Sequence, residues 1–204
     1  MIEVGRTGTL WTVTLNRPDK ANALTRAALA DLLQVLQSAH DHALRALILT
    51  GNGPVFSAGA DLAEAATGLA TDPLWEEVSA TLVALPCLTV AALNGTLAGG
   101  AFGMALACDT RLAVPSAKFF YPVVARGVMP QPSDPGRMVA LIGPARTKLL
   151  LLAGQRIDAA QALDWGLIDG IAPPDALMAE ALALSTSVQN ADPTHLAAIK
   201  AMIR

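Results

Sequence analysis

Short, predominantly apolar segments alternate along this chain with longer segments of helical periodicity. Ala46–Thr50 and Leu88–Leu93 are runs of the first kind, in which polar and apolar residues do not alternate. Such runs are typical of strands that are buried on both faces of a parallel sheet. Between Thr25 and about His42, in contrast, leucines recur at helical spacing, and Thr25 is suited to cap the start of that helix. The alternation predicts an α/β architecture.

The charge balance and the lengths of the apolar segments exclude several classes of protein. The chain has 14 Lys and Arg against 17 Asp and Glu, a formal charge of −3, so it lacks the basic excess that nucleic-acid binding requires. Polar residues interrupt the apolar stretches before they reach the roughly 20 residues of a membrane-spanning helix. The first residues do not have the pattern of a signal peptide. We therefore expect a cytoplasmic protein that binds neither nucleic acid nor membranes.

The size of the chain and its two cysteines restrict the organisation further. Of its 204 residues, 53% are apolar and 15% are charged, which is sufficient for one domain with a full-sized core. Cys87 and Cys108 lie within apolar segments, and none of the three histidines is spaced from them as a metal ligand. These residues predict buried thiols and no metal site.

Two loops of small residues each join a predicted strand to a helix. They are Val55–Leu62 and Leu93–Ala101. Ligands of α/β sheets bind at such loops, beyond the carboxyl ends of the strands. Free N–H groups at the start of a helix favour negative charge, and small side chains let a substrate oxygen approach them. The two loops together predict an oxyanion hole, although Gly99 and Gly100 alone are equally consistent with close helix–strand packing.

Other catalytic motifs are incomplete in this sequence. Gly95–Gly100 has the glycine spacing of a phosphate-binding loop, but Ala101 stands where that loop requires lysine. Ser57 lacks the flanking glycine pattern of a nucleophilic serine, and no histidine is placed to activate it. The chain therefore offers no standard nucleophile.

Several segments of the chain match, in order, the landmarks of a known superfamily. They are Leu15–Leu24, Phe56–Leu62, Ala91–Gly95 with Gly99-Gly100, Ala117–Phe119, Gly127–Pro130, Gly154–Ala159 and Ala162–Asp169. Together they resemble the crotonase, or enoyl-CoA hydratase/isomerase, superfamily over nearly the whole chain. Each motif by itself is weak, and their common register carries the resemblance.

The resemblance implies a fold, a ligand and an assembly. The fold is a spiral of repeated ββα units over residues 1–172, followed by C-terminal helices over residues 173–204, within a single domain. The ligand is an acyl-CoA thioester, bound as substrate without a further cofactor. The chain stops at Arg204, so the C-terminal helical module that the family uses for trimer contacts is expected to be shortened. A homotrimer or hexamer is the family expectation.

The resemblance also implies roles for individual residues. The amides of Ala60 and Gly100 match the oxyanion hole for the thioester carbonyl. Contacts with CoA or the acyl group are expected from Lys20, Ala21, Ala23, Ala58, Asp61, Leu62, Tyr121 and Val123. Among these, the positive charge of Lys20 suits a phosphate, although a solvated lysine in a turn is equally consistent.

The chain departs from the family at the two positions that normally transfer protons. Hydratases of this family carry two glutamates, which match Gly103 and Val123 here. Neither of these side chains can transfer a proton, so hydration by the paired-glutamate mechanism is not expected. Asp134 is the best substitute, because it replaces a small residue near the expected acyl pocket, and Tyr121 is the next. For Asp134, however, the residue pattern favours capping of the helix that starts at Ser133 over proton transfer.

Three functions follow from these observations. The first is an enzyme that stabilises a thioester enolate, isomerase-like or with an atypical acid and base. The second is a catalytically silent acyl-CoA-binding protein, which Gly103 and Val123 favour. The third is a subunit that uses the fold for assembly alone.

Overall fold

Strands of two to six residues form two sheets in the computed structural model, which describes residues 1–203. The strands are β1 (Ile2–Thr7), β2 (Leu10–Leu15), β3 (Ala46–Gly51), β4 (Val55–Ser57), β5 (Leu88–Leu93), β6 (Thr96–Ala98), β7 (Thr110–Ala113), β8 (Lys118–Phe120), β9 (Ile157–Asp158) and β10 (Gly170–Ile171). The larger sheet has the order β1-β2-β3-β5-β7-β10, and the smaller one has the order β4-β6-β8-β9.

The apolar runs form the middle of the larger sheet, as predicted. β3 pairs in parallel with β5, and Ala46 lies opposite Leu88. Ala46–Thr50 and residues 89–93 are buried. Strands in this position have to be apolar, because both of their faces are covered and a buried polar group needs a hydrogen-bond partner.

Helices follow the strands and cover the sheets. They are α1 (Arg26–Asp41), α2 (Leu62–Ala65), α3 (Leu74–Ala84), α4 (Phe102–Ala107), α5 (Val123–Arg126), α6 (Asp134–Leu151), α7 (Ala159–Trp165), α8 (Leu177–Ser185) and α9 (Pro193–Ile203). Thr25 caps α1 as predicted, since its hydroxyl accepts a hydrogen bond from the Ala28 amide at 3.1 Å. α6 is interrupted at Gly143, where φ is +76° and Pro144 follows.

The smaller sheet is the part of the fold that the residue pattern does not predict. Val55–Ser57 and Thr96–Ala98 are expected to be loops, and they are parallel strands in which Val55 lies opposite Thr96. A strand of three residues is too short to show a periodicity, so pairing with its neighbour decides its conformation. With these strands present, a long strand, a short strand and a helix follow one another repeatedly. This confirms the α/β fold of ββα units expected from the resemblance.

Within residues 1–203, no helix combines the length and the apolar character needed to cross a membrane.

Candidate active site

The pairing of β4 with β6 brings together the two loops that were predicted to form an oxyanion hole. Gly59 follows β4, and its φ is +89°. Residues with a Cβ rarely adopt this backbone conformation, because it is strained for them. A Cβ at Gly59 would lie 2.9 Å from the Ala98 carbonyl oxygen and 3.2 Å from the Gly100 nitrogen. Only glycine therefore lets the two loops approach this closely.

Two backbone amides at this contact have no acceptor among residues 1–203. On either side of Ala60, Gly59 O accepts from Leu24 N and Asp61 N donates to Leu24 O, each at 2.8 Å. The N–H groups of Ala60 and Gly100 donate to no protein group in the part of the chain that the structure describes. Gly100 lies in the 3₁₀ turn Gly99–Ala101 that leads into α4, so its amide belongs to the electropositive start of a helix.

The two amides lie at the wall of one cavity of about 360 Å³. The predicted site residues in this wall are Ala58, Ala60, Leu62, Gly100, Tyr121 and Val123. Most of the other residues in the wall are apolar. No carboxylate lines it anywhere in residues 1–203. The arrangement suits an apolar chain whose polar oxygen is held by backbone donors.

Trp75 is a cavity residue that sequence reasoning missed. It lies on α3, it is 2% exposed, and its indole nitrogen donates to the Leu69 carbonyl at 2.9 Å. A Cβ on Gly100 would lie 3.3 Å from the Trp75 ring. The absence of a side chain at Gly100 thus serves both the approach of a ligand and the packing of the indole. The sequence does not reveal this contact, because a tryptophan on an apolar helix face is expected to be buried in any case.

The turn predicted to bind CoA is attached to the first oxyanion loop. Ala58 N donates to Ala21 O at 3.0 Å, and the Ser57 hydroxyl donates to Asn22 O at 2.8 Å. Asn22 is buried, and its side-chain amide donates to the Asn52 and Val55 carbonyls. These bonds hold the turn next to the cavity, although Lys20, Ala21 and Ala23 themselves lie outside its wall. Lys20 is exposed.

Asp61 lies at the start of α2, and its side chain binds a backbone amide and a neighbouring guanidinium. Its carboxylate accepts from the Ala63 amide at 3.0 Å and pairs with the Arg17 guanidinium at 2.7 Å. The hydrogen bond from Arg17 lowers the pKa of Asp61 below its usual value. Asp61 lies outside the cavity wall, whereas the neighbouring Leu62 is 71% exposed at the mouth.

Asp134 is fully buried beside Gly103, the residue that the resemblance matches to the first glutamate of the family. Its Oδ2 accepts a hydrogen bond from the Tyr121 hydroxyl at 2.9 Å, and its Oδ1 has no partner among the described residues. A Cβ on Gly103 would lie 3.0 Å from that free oxygen. Within the described part of the chain, the carboxyl accepts from no backbone amide. The capping role considered for Asp134 is therefore wrong, because the side chain turns away from its own helix toward α4 and Tyr121.

Burial controls the acidity of this pair. It raises the pKa of Asp134 to about 7, against the opposing effects of the Tyr121 hydrogen bond and the Arg137 charge. Burial also raises the pKa of the Tyr121 hydroxyl. Its ring stacks on Phe102 with 5.3 Å between centroids, and the Gln131 amide donates to its oxygen at 3.3 Å. The pair consists of a neutral phenol and a carboxyl poised between its two protonation states.

Comparison with known proteins places the chain in a family. The enoyl-CoA hydratase/isomerase family model matches residues 5–204. The 2,3-dehydroadipyl-CoA hydratase of Escherichia coli is 34% identical over 200 residues, which cover 94% of this chain and 77% of that protein. The carnitinyl-CoA dehydratase of Citrobacter koseri is 35% identical over 205 residues, covering 98% and 78%.

Solved structures agree with this placement. The enoyl-CoA hydratase of Bacillus anthracis superposes with a TM-score of 0.90 at 32% identity, over 99% of this chain and 81% of that chain. The superposition covers nearly the whole of this chain, so the two proteins share the fold. The chain belongs to the enoyl-CoA hydratase/isomerase family.

Proposed function

We propose that this protein binds an enoyl-CoA thioester and moves its double bond through an enolate. The observation that carries the proposal is the pair of unpartnered amides, Ala60 and Gly100, at the wall of one apolar cavity. The thioester carbonyl oxygen would accept hydrogen bonds from both amides, and the acyl chain would lie along the apolar wall. The names of the relatives, which act on dehydroadipyl-CoA and carnitinyl-CoA, support a CoA thioester as the substrate class.

The chemistry needs the oxyanion hole more than any other part. Removing a proton next to a thioester places negative charge on the carbonyl oxygen, and one well-aimed donor stabilises that charge by about 3 kcal/mol. Addition of water additionally requires groups that activate the water and protonate the carbon. By the resemblance, Gly103 and Val123 match the two glutamates that hydratases of the family use, and neither side chain can transfer a proton. Isomerisation takes a proton from one carbon and returns it to another, so it requires fewer proton-transferring groups than hydration does and suits this site better.

A second candidate is binding without turnover. Its support is the absence of any carboxylate from the cavity wall within the described residues. A protein of this kind would hold the thioester carbonyl at the same two amides and release it unchanged.

The test incubates the purified protein with 3-enoyl-CoA and, separately, with 2-enoyl-CoA in heavy water, followed by mass spectrometry and NMR. The isomerase proposal predicts a moved double bond with deuterium incorporated and no net addition of water. A thioester that is bound but recovered unlabelled would refute isomerisation and establish the second candidate. Absence of acyl-CoA binding would refute both.

A matched pair of glycine variants connects the result to the oxyanion hole. Gly100→Val puts a branched side chain at the amide and against Trp75, so it should abolish thioester binding. Gly5→Val adds the same side chain to an exposed position of β1, where the nearest atoms lie 3.9 Å from a Cβ. If Gly100→Val binds acyl-CoA as well as Gly5→Val does, the site has been placed wrongly.

A further inference from the structure

Tyr121 has a double position in this molecule: it lines the cavity, and it is hydrogen-bonded to a buried acid behind the wall. Its hydroxyl donates to Asp134 Oδ2 at 2.9 Å. Among the described residues that line the cavity, Tyr121 and Arg126 have titratable side chains. Arg126 is an exposed guanidinium. Tyr121 is therefore the buried member of the two, and its hydroxyl is already hydrogen-bonded to a carboxyl.

Asp134 occupies space that a side chain at position 103 would need. A Cβ there would meet the carboxylate at 3.0 Å, closer than nearly all contacts of real Cβ atoms. Gly103 lies on α4, one turn from the Gly100 amide, whereas Asp134 comes from the first turn of α6. A carboxyl is thus present close to the place where the family's glutamate begins, but it enters from another helix.

Several charged and titratable groups surround the carboxyl of Asp134. The charged and titratable groups that face it are Tyr121, Arg137 on α6 and Glu76 on α3. The Glu76 carboxylate is itself held by the backbone amide and the hydroxyl of Ser133. Because burial raises the pKa of Asp134 to about 7, the carboxyl can both accept and release a proton near neutral pH.

We propose that Tyr121 takes a proton from the substrate and returns it, while Asp134 holds the proton displaced from the phenol. The assignment rests on the proposed binding of an enoyl-CoA thioester at Ala60 and Gly100. Tyr121 is the catalytic residue of the pair, and Asp134 acts through it.

The steps balance without any other reactant. In a 3-enoyl thioester, the bond between the α-carbon and its hydrogen breaks, and the proton moves to the Tyr121 oxygen. The phenolic proton moves at the same time to ionised Asp134, along the existing hydrogen bond. The electron pair enters the thioester as an enolate. In the return step a new bond forms between the γ-carbon and the proton on Tyr121, and Asp134 gives its proton back to the phenol.

The experiment measures isomerisation of a 3-enoyl-CoA, followed by the absorbance of the conjugated product, from pH 5 to pH 9. The variants are Tyr121→Phe, Asp134→Asn and the double variant. Each single variant should lower kcat about 100-fold or more with KM little changed. The double variant should be no slower than the slower single variant, because the two residues act as one unit. The wild-type kcat should rise as pH passes about 7, where Asp134 ionises, and this rise should disappear in both single variants.

Asp72→Asn is the matched control for loss of a buried carboxylate. Asp72 is 9% exposed and caps the start of α3, where the Leu74 amide donates to it at 3.0 Å. This variant should lose stability and keep the wild-type rate and pH profile. An equal loss of rate in Asp72→Asn would show that the effect is structural, and the proposal would be overturned.

The remaining outcomes separate the two proposals. A wild-type protein that isomerises, with Tyr121→Phe close to its rate, would overturn the role of Tyr121 and leave the proposed function standing. A wild-type protein that binds the thioester without labelling it would overturn both. If Asp134→Asn does not fold, Tyr121→Phe and the wild-type pH profile decide, since phenylalanine retains the ring that stacks on Phe102.

Discussion

The acid buried behind Tyr121 should make the stability of the protein depend on pH in an unusual direction. Burial raises the pKa of Asp134 from 3.8 to about 7, so the folded state binds this proton more tightly than the unfolded state does. Stability contributed by the neutral acid is then complete below about pH 4 and is lost as pH rises to 7 and beyond. Most paired carboxylates do the opposite, because they stabilise the fold when ionised.

The magnitude follows from the interval between the two pKa values. A tenfold change in proton affinity is worth about 1.4 kcal/mol, so the interval from 3.8 to about 7 corresponds to about 4 kcal/mol in total. Between pH 5 and pH 8 the change is about 2–3 kcal/mol. Asp134 has no exposed surface, so screening by solvent does not reduce this figure as it does for surface groups.

Asp134→Asn isolates the effect, because the carboxamide has nearly the shape of the neutral acid and does not titrate. Urea unfolding, followed by circular dichroism at fixed protein concentration, gives the free energy of unfolding of both proteins at several pH values. Wild type minus Asp134→Asn should fall by about 2–3 kcal/mol from pH 5 to pH 8. Asp31→Asn, at an exposed position of α1, controls for the change in net charge. A difference that stays constant over this range would refute the reasoning.

Three further changes test the packing of the site. Gly59→Ala places a Cβ 2.9 Å from the Ala98 carbonyl oxygen at a φ of +89°. Thermal unfolding should show a loss of stability of about 1–3 kcal/mol, and calorimetry should show weaker acyl-CoA binding. Unchanged binding would count against the loop contact. Gly103→Glu should destabilise the protein by at least about 2 kcal/mol, and adding Asp134→Gly should recover most of that loss; without recovery, the two residues do not share one space. Trp75→Ala should cost about 3–5 kcal/mol and enlarge the cavity next to Gly100, and wild-type stability in urea unfolding would contradict the packing described.

The residues of this chain determine its fold class and the composition of its oxyanion loops without help from the structure. Ala46–Thr50 and Leu88–Leu93 had to be interior strands, because only burial on both faces suits runs so apolar. The small residues around Ala60 and Gly100, at the ends of such strands, already indicated donors for an anionic oxygen. These properties depend on residues that are close together along the chain, so the sequence alone is sufficient to predict them.

Tertiary structure decided everything that depends on which residues meet. The three-residue strands β4 and β6 exist only because they pair, and Trp75 covers Gly100 only because α3 packs there. Sequence pattern favoured a capping role for Asp134, since Ser-Asp-Pro is ordinary chemistry for the start of a helix. The structure instead buries its carboxyl between Tyr121 and Gly103. Those residues are 13 and 31 positions away along the chain, and no propensity encodes a contact over such separations.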